Sequence, residues 1–131
     1  MGQTRRMSAL DRGQGPAQEP MTIDEDHLGR MTLGDRSLER EVLEIFARQT
    51  ALTMERIARA APAGAAAAAH TLKGSAVGIG AWRVAQAAER LEQAAAAKGD
   101  EAALSAAIAE LEAASAETRA AIGQRLGRSF G

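Results

Sequence analysis

The sequence predicts an all-α protein: an antiparallel four-helix bundle with a short extra helix at its N-terminal end. Three observations carry that expectation. Of 131 residues, 32 are alanine, the best helix former, while strand-favouring aromatics are limited to one Trp and two Phe, with no Tyr. Larger apolar residues recur at helical spacing between Gly, Pro and Asp breakers. Those breakers leave one short and four longer segments joined by tight turns, the arrangement of a bundle. More than half of the 46% hydrophobic residues are alanines, so burial at about 25 cal/mol per Å² accumulates slowly, and close helix packing is the natural way to build a core.

Residues 1–20 mix Gly, Gln, Pro and scattered charge without periodicity, and read as a disordered leader. The domain is expected over 21–122. Thr22-Ile23-Asp24-Glu25 has the form of a capping box, with Leu28 and Met31 as the buried side of a short first helix that Gly34 ends. Asp35 is the expected N-cap of a long second helix. Its stripe is Leu38, Val42, Ile45, Phe46 and Leu52, widened by Leu43, Met54 and Ile57. After Pro62 and Gly64, a third helix is expected to start within the alanine run 65–69, to continue through His70 to about Val77, and to stop at Gly78 and Gly80. The fourth runs from Ala81 or Trp82 to Ala97, where Gly99 supplies a stop and Asp100 the next N-cap. The fifth, Glu101 to about Ile122, carries Leu104, Ile108, Leu111, Ser115 and Ile122, and residues 123–131 are expected to fray.

Composition also narrows function. The length suits one domain and leaves no room for a second catalytic one. With no cysteine there is no disulfide, thiolate nucleophile or Cys-based zinc site. Sixteen Lys and Arg against seventeen Asp and Glu give a net charge of −1, too little positive field to grip a nucleic-acid backbone. No apolar region follows Arg5 and Arg6, and no long apolar run occurs, so neither membrane contact nor export is expected and a cytoplasmic location is. Arg6 stands where a myristoylation signal needs Ser or Thr.

The chemistry centres on His70. On a helical wheel, Ala66, Ala67, Lys73, Gly74 and Val77 fall within about 60° of it, and Ala65, Ala68, Leu72, Ala76 and Ile79 on the far, apolar side. The imidazole should therefore stand on a face stripped of cover, with Lys73 as its charged neighbour. A mid-helix glycine costs about 1 kcal/mol relative to alanine, so Gly74 suggests a need for room, as when another protein brings its active site onto the ring. Imidazole, with an unperturbed pKa of about 6.5, is a competent nucleophile near neutrality, and phosphoryl transfer needs a stabilising charge, which Lys73 can supply. The set suits a phosphoryl acceptor.

The run His70-Thr71-Leu72-Lys73-Gly74-Ser75-Ala76-Val77-Gly78-Ile79-Gly80 resembles the signature of the histidine-containing phosphotransfer (HPt) domain family. The pattern Gly34-Asp35 through Leu38, Glu41-Val42-Leu43 and Phe46 is similar to the family's second helix, and Leu91-Glu92 to Gly99-Asp100 to its helix D and following turn. The resemblance covers roughly residues 22–122. It implies a four-helix bundle, His70 as the phosphorylated residue, Lys73 holding the phosphoryl group, and Gly74 clearing space for a receiver. It further implies a phosphorelay intermediate that reversibly accepts a phosphoryl group on His70 from a receiver-domain aspartate and passes it to another receiver. Mg²⁺ and most catalytic groups would come from the receiver, so this chain is expected to bind no cofactor and no metal. Response-regulator receivers and a hybrid histidine kinase are the partners implied. The chain is expected to be a monomer without kinase activity of its own, since no Gly-rich ATP-binding box is present. In place of the larger or charged residues many members carry before the histidine, residues 65–69 are uniformly alanine.

Ala66, Ala67, Gly74 and Val77 are the candidate partner-contact residues. His27, among Asp24, Glu25 and Asp26, lacks a second histidine at helical spacing and reads as part of an acidic first turn rather than a metal site. Trp82 reads as a packing anchor at the corner between the third and fourth helices. Arg83, Gln86 and Arg90 could border the histidine face but read first as a solvated face, and Ser75 as a surface hydroxyl or one bonded back to its own helix. Two other functions remain compatible with the residues: a helical adaptor that binds a receiver without accepting phosphate, and a purely structural bundle.

Overall fold

The computed structural model describes residues 22–127, which form five helices and, among those residues, no strand. In chain order they are α1 (Glu25–Met31), α2 (Arg36–Arg59), α3 (Pro62–Ile79), α4 (Trp82–Ala96) and α5 (Glu101–Leu126). Packing runs α2 on α3, α3 on α4, α4 on α5 and α5 back on α2, closing a ring, while α1 lies on α3. The interior combines a few large side chains, Leu28, Leu43, Phe46, Ile57, Leu72, Leu91, Leu111 and Ile122, with ten buried alanines. Each large side chain contributes about 1.5–3 kcal/mol by burial, and the alanines let the backbones approach. The expected leader, residues 1–20, lies outside the described residues.

The helix ends show which local rules won. Asp24, rather than Thr22, caps α1: its Oδ1 accepts from the His27 backbone N–H at 3.2 Å. A carboxylate three residues ahead of the bonded amide reaches it directly, so the capping box is not used. Only Leu28 of α1 is buried, and Met31, expected in the core, is 56% exposed. α1 stops at Thr32, whose hydroxyl donates to the Leu28 carbonyl at 2.8 Å. Leu33 then turns left-handed at φ 55° before Gly34 does so at 74°.

Asp35 caps α2 as expected, Oδ1 accepting from the Leu38 amide at 3.1 Å. The stripe of α2 is shifted from the expected one. Leu43, Phe46, Ala47, Thr50 and Ile57 are buried and Val42 and Met54 pack partly against them, but Leu38, Ile45 and Leu52 are exposed. α3 begins at Pro62, before the alanine run, because proline at the first helical position has its φ preset and no amide to satisfy. It also continues through Gly78 to Ile79. Gly80 ends it in the left-handed region, with its amide donating to Val77 O at 3.3 Å and the Ala81 amide to Ala76 O at 2.8 Å, a Schellman closure. α5 runs past Ile122 to Leu126 instead of fraying. Ile122 and Gly123 are buried, and Arg125 ties the last turn to Glu39 at 2.9 Å and Glu25 at 3.2 Å.

α1 is clasped to the α3–α4 corner. The Asp24 amide donates to Gly80 O at 3.0 Å, the Trp82 indole N–H donates to Asp24 Oδ2 at 2.9 Å, and His27 Nε2 donates to Val77 O at 2.8 Å. The His27 and Trp82 rings lie 4.9 Å apart. The hydrogen bond from Trp82, then that from the His27 amide, hold the Asp24 carboxyl below its ordinary value against a smaller opposing effect of burial. A lowered carboxyl stabilises the fold above its unfolded value and loses that contribution as pH falls through the lowered one, so the clasp is intact at neutral pH. Among the described residues, no helix is long and apolar enough to cross a membrane.

Candidate functional site

α3 turns Ala65, Ala69, Leu72, Ala76 and Ile79 inward. The wheel expected Ala68 in that set, but Ala69 is the fully buried residue and Ala68 only borders the core. His70 points the other way, its side chain 70% exposed. Along the same face Ala67 and Gly74 are exposed, Val77 is 43% exposed, and Ala66 is half-buried. The exposed imidazole is thus flanked one turn either way by residues with little or no side chain.

One residue of this site reads in the sequence only as part of the helix D pattern and not as a neighbour of His70. Glu92, on α4, places Oε2 2.8 Å from His70 Nδ1 and Oε1 3.0 Å from Lys73 Nζ. Lys73 is therefore not the sole charged neighbour of the ring; the carboxylate sits between the two. Burial pushes the Glu92 carboxyl up, but the Lys73 ammonium and the His70 ring together outweigh it and hold the group below its ordinary value. An ionised carboxylate only accepts hydrogen bonds, so Nδ1 must carry the proton that bridges to it. In the neutral ring that leaves the lone pair on Nε2, the nitrogen facing away from Glu92.

A hairpin explains the juxtaposition. His70 lies eleven residues before Ala81 at the α3–α4 turn, and Glu92 eleven after it. Arg83 and Arg90 turn instead toward α5, where they pair with Glu117 and Glu110, and take no part in the histidine face. Gln86 lines the same α4–α5 surface. On the α2 side, Thr71 and Ser75 line a shallow groove with Gln49, Leu52 and Arg56. Thr71 bonds back to Ala67 O at 3.3 Å.

Gly74 has no internal reason to be glycine. Its backbone is not left-handed, and a Cβ built there meets nothing within 4 Å. Within this chain alanine would fit and would favour the helix, so the constraint, if one acts, comes from outside the chain. His27 is engaged with Val77 O, and the described residues contain no group of three or more His, Asp or Glu that could hold a metal ion. Trp82 is the anchor expected, bonded to Asp24 at the α3–α4 corner.

Chemically, the arrangement offers an uncovered nitrogen nucleophile with a fixed tautomer, a carboxylate behind it and an ammonium beside it. Residues 41–121, more than half of the chain, match the family model described as the Hpt domain. No curated protein and no solved structure gives a significant match.

Proposed function

The chain belongs to the Hpt domain family, and on that premise we propose that His70 accepts a phosphoryl group from the aspartyl phosphate of a receiver domain and returns it to the aspartate of another. The family places the chain in two-component phosphorelay signalling. The carrying observation for the finer reading is the 2.8 Å contact of His70 Nδ1 with Glu92 on a side chain that is 70% exposed. It leaves Nε2 with a lone pair directed at solvent, where a second protein can bring an electrophilic phosphorus. The Nε2–P bond forms as the P–O bond to the receiver's aspartate breaks, and the carboxylate leaves.

This chain supplies the nucleophile, the Lys73 charge and the docking face; the receiver would supply Mg²⁺ and the remaining catalytic groups. We read the protein as a carrier without kinase activity of its own, working in the cytoplasm as a monomer. The ring of α2 to α5 fits an antiparallel four-helix bundle. Ala66, Ala67, Gly74 and Val77, with the exposed Leu52 across the α2–α3 groove, form the surface on which a receiver would seat.

The test is incubation with a radiolabelled phospho-receiver and Mg²⁺. Acid-labile, alkali-stable label on this chain is expected; stable binding without label would favour a non-phosphorylated adaptor, and neither binding nor label a structural bundle. Gly74→Ala separates docking from folding. The variant should gain stability, by up to about 1 kcal/mol in a urea titration, while transfer slows. Unchanged transfer would remove Gly74 from the docking surface.

A further inference from the structure

We propose that Glu92 is a positioning residue that keeps the Nδ1 proton on the ring after His70 has been phosphorylated, and so keeps the phosphoryl group transferable. The inference rests on the phosphotransfer reading above and concerns how the same site is regulated.

The chemistry follows from where the proton stands. When neutral His70, protonated at Nδ1, attacks through Nε2, the ring becomes a cation: the Nε2–P bond has formed and the Nδ1–H remains. Two fates are open. If the proton stays, the reverse step breaks the N–P bond, the electron pair returns to Nε2, and a neutral imidazole leaves. If it is lost to water, the same departure must expel an imidazolate, a far poorer leaving group. The protonated form gives up its phosphoryl group and the deprotonated form stores it.

Glu92 decides between them by position. Its Oε2 lies 2.8 Å from Nδ1, and an anion at that distance favours the charged ring. The side chain of Glu92 is 24% exposed against 70% for His70, so the carboxylate lies on the protein side of the ring while Nε2 faces outward. Lys73, 3.0 Å from the other oxygen, is the remaining charged group of the cluster and keeps Glu92 ionised. α3 thus contributes His70 and Lys73 and α4 contributes Glu92; of the α2 groove residues on the far side of α3, only Arg56 is charged. Because the carboxylate leaves only one nitrogen free and then holds the proton on the other, forward and reverse transfer use the same ring state.

The test compares wild type and Glu92→Gln, loaded with label and then chased with an unphosphorylated receiver and Mg²⁺ between pH 6.5 and 8.5. Taking the ratio of the two rates at each pH cancels the receiver's own titration. The variant should fall behind wild type as pH rises, reaching about tenfold slower at the alkaline end, the size expected for removing one nearby charge. Its phosphorylated form should also survive longer without a receiver. A ratio that stays constant with pH overturns the proposal while leaving the phosphotransfer reading intact; failure of the wild type to take label defeats that reading instead. Should the variant fold poorly, the wild type alone decides by NMR titration in comparison with free Nε2-phosphohistidine. The proposal requires the phosphorylated ring of His70 to keep its Nδ1 proton to higher pH than the free compound, and the same or a lower pH contradicts it. Lys73→Met should lower the transfer rate without giving the alkaline decline of Glu92→Gln, and a matching decline would move the role from Glu92 to the pair.

Discussion

On the proposed function, replacing His70 with glutamine is expected to abolish phosphoryl acceptance and to leave the fold standing. The side chain is 70% exposed and belongs to no part of the core, so its loss removes no buried apolar area. Surface replacements of that kind stay within about 0.5 kcal/mol of the parent. Glutamine can still donate an amide hydrogen toward Glu92, but it has no nitrogen lone pair for attack on phosphorus. Label transfer should therefore drop to background while the circular dichroism spectrum and urea midpoint are retained. Residual acid-labile label would place the acceptor elsewhere, and His27, engaged with Val77 O, is the one other histidine in the sequence.

Gly80→Ala should be strongly destabilising. Gly80 sits at φ 81°, where an L-residue costs about 1–2 kcal/mol. The added carbon would also stand 3.0 Å from Asp24 Cβ, 3.1 Å from Asp24 O and 3.3 Å from His27 Cβ. All three contacts are with atoms close to or in the backbone, so α1 must shift, straining the Asp24–Gly80, Asp24–Trp82 and His27–Val77 bonds together. A loss of about 2 kcal/mol or more is expected, roughly 10 °C in Tm for a domain of this size. Gly78→Ala, two residues earlier, is the internal control: its φ is not left-handed and its added carbon meets nothing within 4 Å. That variant should be neutral or slightly stabilised. Equal destabilisation by both would remove the clasp from the account.

The all-helical architecture was legible because composition and punctuation agree. Alanine excludes strands, Asp35 and Asp100 cap α2 and α5, and Gly80 and Gly99 close α3 and the α4–α5 turn with positive φ. The face α2 turns inward was less legible. Bulky Leu38, Ile45 and Leu52 repeat at helical spacing yet stay exposed, while Ala47 and Thr50 are buried. Periodicity shows that a face exists, whereas the neighbouring helices decide which flank of it closes, and small residues allow the tighter approach. Residue size at a given spacing was thus a misleading guide on α2 and a sound one on α3, where Leu72 and Ile79 are both buried.

The candidate site divided in the same way. The exposed side of α3 follows from its wheel alone, so His70, Gly74 and Val77 were readable from eleven consecutive residues. Glu92 was not, being twenty-two residues away on another helix. The signal that could have found it is arithmetic: with a tight turn at Gly80–Ala81, positions equidistant from Ala81 lie side by side, and Glu92 is the counterpart of His70. Lys73, expected to hold a phosphoryl group, is paired with that carboxylate in the unphosphorylated chain. Its predicted part in transfer therefore includes leaving one anion for another.

The central claim is that Nε2 of His70 is the acceptor atom. It is tested most directly by nitrogen-resolved NMR of the wild-type protein, labelled with ¹⁵N in its histidine rings and phosphorylated by a phospho-receiver with Mg²⁺. The account predicts one phosphorus coupled to Nε2 of His70, with Nδ1 unsubstituted. Coupling to Nδ1, coupling to His27, or a chain that acquires no phosphorus on nitrogen would contradict it.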